Sequence, residues 1–460
     1  MAASIGSRRE LFVDEWLVEH LAGVRLKLHR PERREVAFTL DAPWEDNVAF
    51  PICVVPFDGG WRLYYRAGIL DLSRADDTSV TARAESRDGL SFTRPRLGLC
   101  EFAGARDNNI LQIGGFPSVP PAFIDANPAC PPSQRFKGIA ERGFKGWALA
   151  SPDGLHWSLL QEEPLELPGH FDTVNTAFWD RVSGCYRCYT RSWHDRDTGR
   201  VLSGWDFTGV VGIRAIQHAT SPDFLHWSAP EQLVYDDGDR ATHLYTNAIT
   251  PCPGAEHPYL GFPNRYVSDR RFDPAHEGDG VNDALFMSSR DGVHWQRWLD
   301  AWVSPGPDPL NWTERNNYPV WGIAQTSESE WSIYLSEHYR HQGQPTRMRR
   351  LAVRPWGFVS LRAGYAGGEV LTRPFTFTGS SLRLNARTSA AGSIRVEVQD
   401  EQGHTLPGFG LTQMAPWFGD HLDGIISWGE TTDLRLLAGR PVRLRFALQD
   451  ADLFGFRFVS

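Results

Sequence analysis

Ser151-Pro-Asp-Gly-Leu-His-Trp157 is one of four copies of a heptapeptide in this sequence. The other copies are Ser86-Arg-Asp-Gly-Leu-Ser-Phe92, Ser221-Pro-Asp-Phe-Leu-His-Trp227 and Ser289-Arg-Asp-Gly-Val-His-Trp295. Their first serines are 65, 70 and 68 residues apart, and one further period leads to a degenerate fifth copy, Arg354-Pro-Trp-Gly-Phe-Val-Ser360. An internal repeat of this length indicates stacked structural modules.

Each copy has the local chemistry of a β-hairpin. An apolar run precedes the repeat, Asp-Gly provides a tight turn that tolerates a positive φ, and Leu-x-Trp alternates as a strand does. The Trp ring is expected to pack between neighbouring sheets. The His before each Trp and the Asp of each turn are interpreted as structural, since they recur once per module. Five modules of about four strands predict an all-β fold with a five-bladed β-propeller.

Composition narrows the classes of partner. The 460 residues include 18 Trp and 43 Gly, which is typical of turn-rich β structure, and the net charge is −9. This charge argues against nucleic acid and anionic membrane, because both reward clustered Lys and Arg. The six cysteines are too few for a disulfide scaffold and are interpreted as core thiols. No metal and no cofactor are predicted, because no ligand spacing favours a metal site.

The chain is expected to be cytoplasmic. It has no run of 18 apolar residues, and residues 1–9 lack the apolar core of a secretory signal. The alternative is secretion, if a leader has been removed.

Two domains are expected, a propeller over residues 1–355 and a second domain over residues 356–460. Val24-Arg-Leu-Lys-Leu28 is expected to be an outer strand that closes the ring by pairing with the last blade. After Pro355 the heptapeptide stops, and short alternating strands such as Ile394-Arg-Val-Glu-Val398 follow. This change of pattern predicts a β-sandwich.

Polar residues are expected to gather at one mouth of the propeller, because in an antiparallel blade the inner strand starts where the second strand ends. These positions include Glu45, Asp46, Asn47, Asp172, His243, Tyr245, Asn247 and Asn317 at strand starts, and Arg66, Glu141, Arg191, Trp193, Arg265, Glu337 and His338 at strand ends. Any single carboxylate at such a position is more often a turn cap or an exposed ion pair. Together, however, carboxylates, arginines, amides and aromatic rings are the mixture that a carbohydrate site needs.

The repeats and two blade openings resemble the five-bladed glycosidases of glycoside hydrolase families 32, 43 and 68. The openings are Trp44-Glu-Asp-Asn47 and Phe171-Asp-Thr173, and Gly367-Gly-Glu-Val-Leu-Thr-Arg-Pro374 looks like the start of the β-sandwich appended to family 32-like proteins. The resemblance implies that Asp46, or its neighbour Glu45, is the nucleophile. It also implies that Asp172 stabilises the transition state, although Phe171 and Thr173 replace the family's Arg and Pro.

The resemblance further implies a general acid in the fourth blade, where this chain has Leu244-Tyr-Thr-Asn247 instead. Glu337 is the preferred replacement, because it follows a clear strand and is flanked by groups able to tune a carboxyl pKa. Glu141 and His243 are the alternatives. The other residues of the mouth are predicted to bind substrate: Asn47, Arg66, Arg191, Trp193, Tyr245, Asn247, Arg265, Asn317 and His338.

The predicted function is hydrolysis of a glycosidic bond by an exo-acting enzyme, at a terminal furanoside such as a fructosyl or arabinosyl unit. One alternative is glycosyl transfer or phosphorolysis, in which Arg66, Arg191 and Arg265 hold phosphate. Another is a non-catalytic glycan-binding propeller, which the missing fourth-blade Glu favours. In each case the expected partner is a small carbohydrate.

Overall fold

The computed structural model describes residues 2–46, 48–68, 79–113, 120–202, 207–276, 278–341 and 343–460. Strands and turns dominate these ranges, and their helices are one-turn 3₁₀ segments at Pro132–Gln134, Pro309–Asn311 and Arg435–Leu437. The predicted all-β class is confirmed. Within the same ranges, no helix has the length and apolar character needed to cross a bilayer.

The chain forms two compact units. The larger comprises Pro31–Pro251 and Glu256–Val353, and the smaller comprises Cys252–Ala255, Arg354–Ser460 and the residues up to Arg30. The strands of the smaller unit form an eight-stranded sheet of Glu10–Leu11, Val18–Ala22, Val24–Leu28, Val359–Ala363, Gly368–Thr372, Ser381–Gln399, Asp420–Ile425 and Arg443–Val459, and a parallel pair of Ala3–Gly6 with Phe375–Phe377. Its core is rich in phenylalanine. The β-sandwich stays a prediction.

The described strands of the larger unit form four sheets. The first has eight strands, in the order Glu32–Leu40, Thr346–Val353, Trp331–Glu337, Tyr318–Ala324, Phe50–Phe57, Gly60–Ala67, Val80–Ser86 and Ile110–Ile113. The second consists of Phe123–Ile124, Phe136–Arg142, Lys145–Ser151 and Ser158–Leu159. The third consists of Thr176–Asp180, Cys185–Asp195, Val201–Leu202, Gly212–Ser221 and Glu231–Gln232. The fourth consists of Val234–Tyr235, His243–Thr246, Thr250–Pro251, Tyr259–Gly261, Asn264–Val267, Val281–Ser289 and His294–Val303.

Strands of the predicted first and last blades share the eight-stranded sheet. Its two halves of four strands are each antiparallel throughout. The halves meet through one parallel bridge, between Trp321 and Cys53. The count of five blades stays a prediction.

The prediction that Val24–Leu28 pairs with the last blade is wrong, because the next strand along the chain, Glu32–Leu40, has this position. Val24–Leu28 pairs with Val359–Ala363 in the smaller unit, whereas Glu32–Leu40 pairs with Thr346–Val353. Burial explains the difference: Leu40 is 0% exposed in the core of the larger unit, while every residue of Val24–Leu28 keeps part of its surface exposed.

The heptapeptide turn is held by its own serine and aspartate. In the second copy, Ser151 Oγ accepts from Gly154 N at 2.8 Å, and Asp153 Oδ1 accepts from the backbone N–H groups of Leu155 and His156 at 2.8 and 2.9 Å. His156 Nδ1 lies 2.8 Å from Asp153 Oδ2. The turn glycine has φ 72°, which confirms the predicted positive φ. The Asp and His of the repeat are therefore structural, as predicted.

A tyrosine from a neighbouring group of strands stabilises this turn through a hydrogen bond that the sequence did not predict. Tyr64 donates to the carbonyl of Gly154 at 3.0 Å, and Tyr189 does the same for Gly292 at 3.2 Å. A Cβ at position 154 would collide with the Tyr64 hydroxyl. Glycine is thus required both for its φ and for this close approach.

We expect Asp153→Ala to lower the free energy of unfolding by about 1 kcal/mol, because two backbone donors lose their acceptor. Asp153→Asn retains an oxygen at the Oδ1 position and serves as the matched control, with a smaller loss. Chemical denaturation of both variants checks this. Equal losses for Ala and Asn would mean that charge, rather than the acceptor, stabilises the turn.

Candidate functional site

The first candidate site is a cavity of about 540 Å³, named here the Asp172 cavity. Its charged and aromatic lining consists of Phe50, Arg66, Glu141, Arg142, Phe171 and Asp172. Arg66 and Glu141 come from the ends of strands in the first and second sheets, and Asp172 precedes the first strand of the third sheet. The cavity therefore brings together three of the residues selected from the sequence.

Asp172 is accessible and is bonded to a buried arginine. Its Oδ1 accepts from Arg191 Nη2 at 2.8 Å. The Asp172 side chain is 30% exposed and that of Arg191 is 3% exposed. Arg191 is itself positioned by its backbone N–H, which donates to Asn175 Oδ1 at 2.9 Å. A charge-assisted bond of this kind gives the carboxylate a defined orientation at the cavity wall.

Glu141 lines the same cavity and also stabilises its own hairpin. Its Oε1 accepts from Phe144 N at 2.7 Å, across a turn in which Gly143 and Phe144 have φ values of 60° and 64°. The residue is half-buried. Glu141 therefore caps a turn, as carboxylates near strand ends commonly do, and it also lines a cavity.

Behind Asp172 lies a group of arginines and tyrosines, named here the arginine–tyrosine cluster. Its members are Arg191, Arg214, Tyr245, Tyr266, Arg315 and Tyr318. The guanidinium carbons of Arg191 and Arg214 lie 4.9 and 4.8 Å from the centre of the Tyr245 ring. The rings of Tyr318 and Tyr266 lie 5.4 and 6.0 Å from the same ring. Cation–π contacts therefore hold two guanidinium groups against one tyrosine.

Burial changes the acid–base properties of this cluster. It lowers the pKa of Arg214 and raises the pKa of Tyr318 well above its usual value. The sequence did not predict a role for Arg214 or Arg315. Arg214 is the third residue of the strand Gly212–Ser221, and Arg315 lies in a loop with φ 59°. No local motif marks either position, so three-dimensional packing is the signal that finds them.

The second candidate site is a cavity of about 720 Å³, named here the Asp46 cavity. Its charged and histidine lining consists of Asp41, Glu45, Asp46, Asp273, His276, Arg340 and His341. Asp46 is exposed, and it lines a different cavity from Asp172. Asp46 and Asp172, which were predicted to lie at one mouth, therefore line separate cavities. Asn47 lies outside the described residues.

Glu45 has a structural environment. Its side chain is 0% exposed, and its carboxylate accepts from Tyr65 Oη, from the Arg94 guanidinium and, at 3.0 Å, from Ala42 N. A nucleophile needs a free, accessible oxygen, so this environment does not fit the alternative role predicted for Glu45.

Glu337, the predicted acid, is also enclosed by arginines. It is 0% exposed, and its Oε2 accepts from Arg347 Nε at 2.8 Å and Arg349 Nε at 3.0 Å. Arg33 Nη1 lies 3.5 Å from Oε1. A carboxylate that is buried among three guanidinium groups connects strands, and this position does not fit proton donation to a substrate.

His243, an alternative acid, is neutral near pH 7. Burial, assisted by the nearby Arg214 and His194, lowers the pKa of His243 to about 4. Its Nδ1 accepts from the backbone N–H of Arg214 at 3.2 Å. The imidazole therefore holds no acidic proton to donate at neutral pH, which argues against the predicted role.

Most of the predicted substrate-binding groups are occupied by the protein itself. The Arg265 guanidinium pairs with both oxygens of Asp283 and donates to Leu299 O at 2.8 Å. His338 Nε2 lies 2.8 Å from Asp308 Oδ2. Asn247 and Asn317 are buried and donate to backbone carbonyls, whereas Trp193 and Tyr245 contact Arg214. Arg191 is bonded to Asp172, and Arg66 lines the Asp172 cavity. For Arg265, His338, Asn247 and Asn317, a role in substrate binding requires these internal hydrogen bonds to break.

Acid is expected to destabilise the larger unit through His218, which resembles His243 in being buried and neutral. Burial and the nearby Arg187 lower the pKa of His218 to about 4. An unfolded histidine titrates near 6.5, so the unfolded state binds the proton first. This stability is fully present above pH 6.5 and is lost as the pH falls towards 4, by about 3 kcal/mol.

Denaturant titrations at several pH values check this expectation. His218→Gln retains an oxygen that can accept from Arg187 Nη1, which lies 3.0 Å from His218 Nε2. We expect this variant to show a shallower loss of stability between pH 6.5 and 4. Identical pH dependence in both proteins would contradict the assignment.

No group of three or more His, Cys, Asp or Glu side chains within the described ranges has the arrangement of a metal site. None of the six cysteines, all of which lie in the described ranges, forms a disulfide bond. Cys53, Cys188 and Cys252 are buried, as expected for core thiols, whereas Cys100, Cys130 and Cys185 are only half-buried.

Comparison with known proteins gives matches to solved structures only. No protein-family model and no curated protein matches the sequence. A glycosyl hydrolase from Bacteroides ovatus is 14% identical, over 76% of this chain and 97% of that chain, with a TM-score of 0.42. A β-1,2-mannobiose phosphorylase from Listeria innocua is 15% identical, over 70% and 96%, with a TM-score of 0.41. An α-L-arabinofuranosidase from Fusarium graminearum is 11% identical, over 71% and 98%, with a TM-score of 0.39.

Proposed function

We propose that this chain is a carbohydrate-active enzyme that cleaves a glycosidic bond in the Asp172 cavity. One observation carries the proposal: Glu141, from a strand of the second sheet, and Asp172, from the segment before the third sheet, line one cavity together with the Arg66 guanidinium and the rings of Phe50 and Phe171. A volume of about 540 Å³ is within the usual range for small-molecule sites. Paired carboxylates are the chemical requirement for glycoside hydrolysis.

In the proposed reaction, Glu141 protonates the leaving oxygen, and Asp172 attacks the anomeric carbon or activates water. The hydrogen bond from Arg191 to Asp172 supports this assignment of roles, because Asp172 is the acceptor in it. Arg66 and the aromatic rings bind the sugar hydroxyls and faces. For the substrate we propose a terminal furanoside of the fructosyl or arabinosyl type, which follows from the resemblance of the two blade openings.

The test is release of sugar from a panel of aryl furanosides and pyranosides, with and without inorganic phosphate. Release of free sugar from a furanoside, unchanged by phosphate, is the expected result. Turnover of pyranosides alone would remove the furanoside assignment and keep the reaction class. Binding of glycans without turnover of any substrate would favour a glycan-binding protein and overturn the proposal.

Phosphorolysis is the second candidate, and the arginine–tyrosine cluster favours it. Arg191 is shared by the cluster and Asp172, so a phosphate held by the cluster would lie next to the reacting sugar. Arg265, one of the arginines first considered for phosphate, is engaged by Asp283 and is replaced in this role by Arg214. Formation of a sugar phosphate that requires added phosphate would decide for this reaction.

A further inference from the structure

We infer that the arginine–tyrosine cluster is a binding site for the anionic group of a sugar ligand, either the carboxylate of a uronic acid or a phosphate. The inference rests on the proposed function only in taking a sugar as the ligand. Nothing in the reaction assigned to Glu141 and Asp172 requires Arg214 or Arg315.

The cluster carries excess positive charge. Its three guanidinium groups belong to Arg191, Arg214 and Arg315. Among the described residues, Asp172 accepts from Arg191 at 2.8 Å and Glu314 lies 3.2 Å from Arg315 Nε, whereas no carboxylate is paired with Arg214. An anion would supply the counter-charge that this partly buried arginine lacks.

The cluster also contains buried hydrogen-bond donors that an anion could satisfy. The Nε atoms of Arg191 and Arg214 and the hydroxyl of Tyr318 are buried and have no hydrogen-bond partner among the described residues. Arg191 is 3% exposed and Tyr318 is 9% exposed. Leaving such donors unsatisfied is costly for a protein. Carboxylate and phosphate oxygens are the acceptors that match guanidinium geometry.

Contacts within the protein hold Arg214 and Arg315 in place before any ligand binds. Arg214 is held over three aromatic rings, with its guanidinium carbon 4.5, 4.8 and 4.9 Å from the centres of Trp193, Tyr245 and Tyr266. The backbone of Arg315 is fixed by its N–H, which donates to Asn282 Oδ1 at 2.6 Å. Guanidinium groups that are already in place lose little conformational entropy when an anion binds.

The cluster is accessible to a ligand. Arg214, Tyr245, Tyr266 and Arg315 each keep part of their surface exposed. Arg191 is the partner of Asp172, which lines the Asp172 cavity, so a charged substituent of a sugar bound there would reach the cluster next to this arginine.

Direct binding measurements on the intact protein test the inference. Calorimetry and thermal melting are run with glucuronate, galacturonate, inorganic phosphate and, as the neutral control, glucose. We expect at least one anion to bind, to raise Tm by about 5 °C at a hundred times Kd, and to bind more weakly in high salt. Preference for uronates over phosphate identifies a charged sugar as ligand, and preference for phosphate identifies a phosphate group.

Two variants locate the site. Arg214→Gln and Arg315→Gln are each expected to weaken anion binding at least tenfold, and Arg214→Lys, which keeps the charge, to recover part of the loss. Arg181→Gln, whose side chain is 62% exposed on the same unit, is the control and should bind as the wild type does. If a Gln variant does not fold, the Lys variant and the salt dependence still decide.

Three results would overturn the inference: no anion binds the wild type, glucose binds as tightly as the anions, or the Arg181 variant loses as much affinity as the others. These results are independent of catalysis. Turnover of glycosides without anion binding would leave the proposed function in place, whereas anion binding without turnover would leave the site in place and remove the enzyme.

Discussion

Asp172→Asn is expected to lower kcat for the best glycoside substrate about a thousandfold, with Tm changed by less than about 2 °C. The reason is that asparagine keeps an oxygen for the Arg191 hydrogen bond and removes only the negative charge. Glu141→Gln should cause a comparable loss with a poor leaving group and a smaller loss with a nitrophenyl leaving group, because the latter needs less protonation. Steady-state kinetics on both kinds of substrate measure this difference.

The control for this prediction is Glu162→Gln, which alters an exposed carboxylate on the same unit and should leave kcat unchanged. Asp46→Asn provides the comparison with the nucleophile implied by the family resemblance. A thousandfold loss in Asp46→Asn together with an active Asp172→Asn would contradict the proposed site. It would move the reaction to the Asp46 cavity.

Glu337→Gln is expected to lower the free energy of unfolding by about 3 to 5 kcal/mol, because Arg33 and Arg349 lose their counter-charge and Arg347 keeps only Asp308. Arg33, Arg347 and Arg349 lie within 3.5 Å of its oxygens. For a unit of this size, the loss corresponds to a Tm lower by about 6 to 10 °C. Thermal melting and denaturant titration measure it.

The same variant distinguishes a structural carboxylate from a catalytic one. Activity per folded Glu337→Gln molecule should equal that of the wild type at a temperature where both are folded. Glu328→Gln, an exposed carboxylate near the same strand, is the control and should change neither Tm nor kcat. A large loss of kcat with unchanged Tm would restore the general-acid role predicted from the sequence.

The positions of strand ends predicted which residues lie together, but not which of them are accessible. Arg66, Glu141 and Asp172 line one cavity, as expected because antiparallel pairing dictates which strand ends meet. Glu45 and Asn247 also lie at strand starts, yet both are buried in internal hydrogen bonds. Strand position sets where a residue is, and it leaves open which groups surround its side chain.

Local chemistry explains what the sequence by itself determined. The all-β class and the Asp-Gly turns follow from it, because Ser151, Asp153 and Gly154 bond to groups no more than three residues away. Such contacts form wherever the heptapeptide occurs. The same contacts form in the third copy, where Phe224 replaces the turn glycine and has φ 73°.

Tertiary structure alone decided the chemistry of the charged residues. One partner of Glu337, Arg33, comes from a strand far from it in the chain, and the guanidinium groups of Arg191 and Arg214 meet the ring of Tyr245 from three separate strands. Whether a carboxylate is an acid, a nucleophile or a strand connector depends on these surrounding charges and on burial. Neither is encoded in the residues next to it, so packing had to be known first.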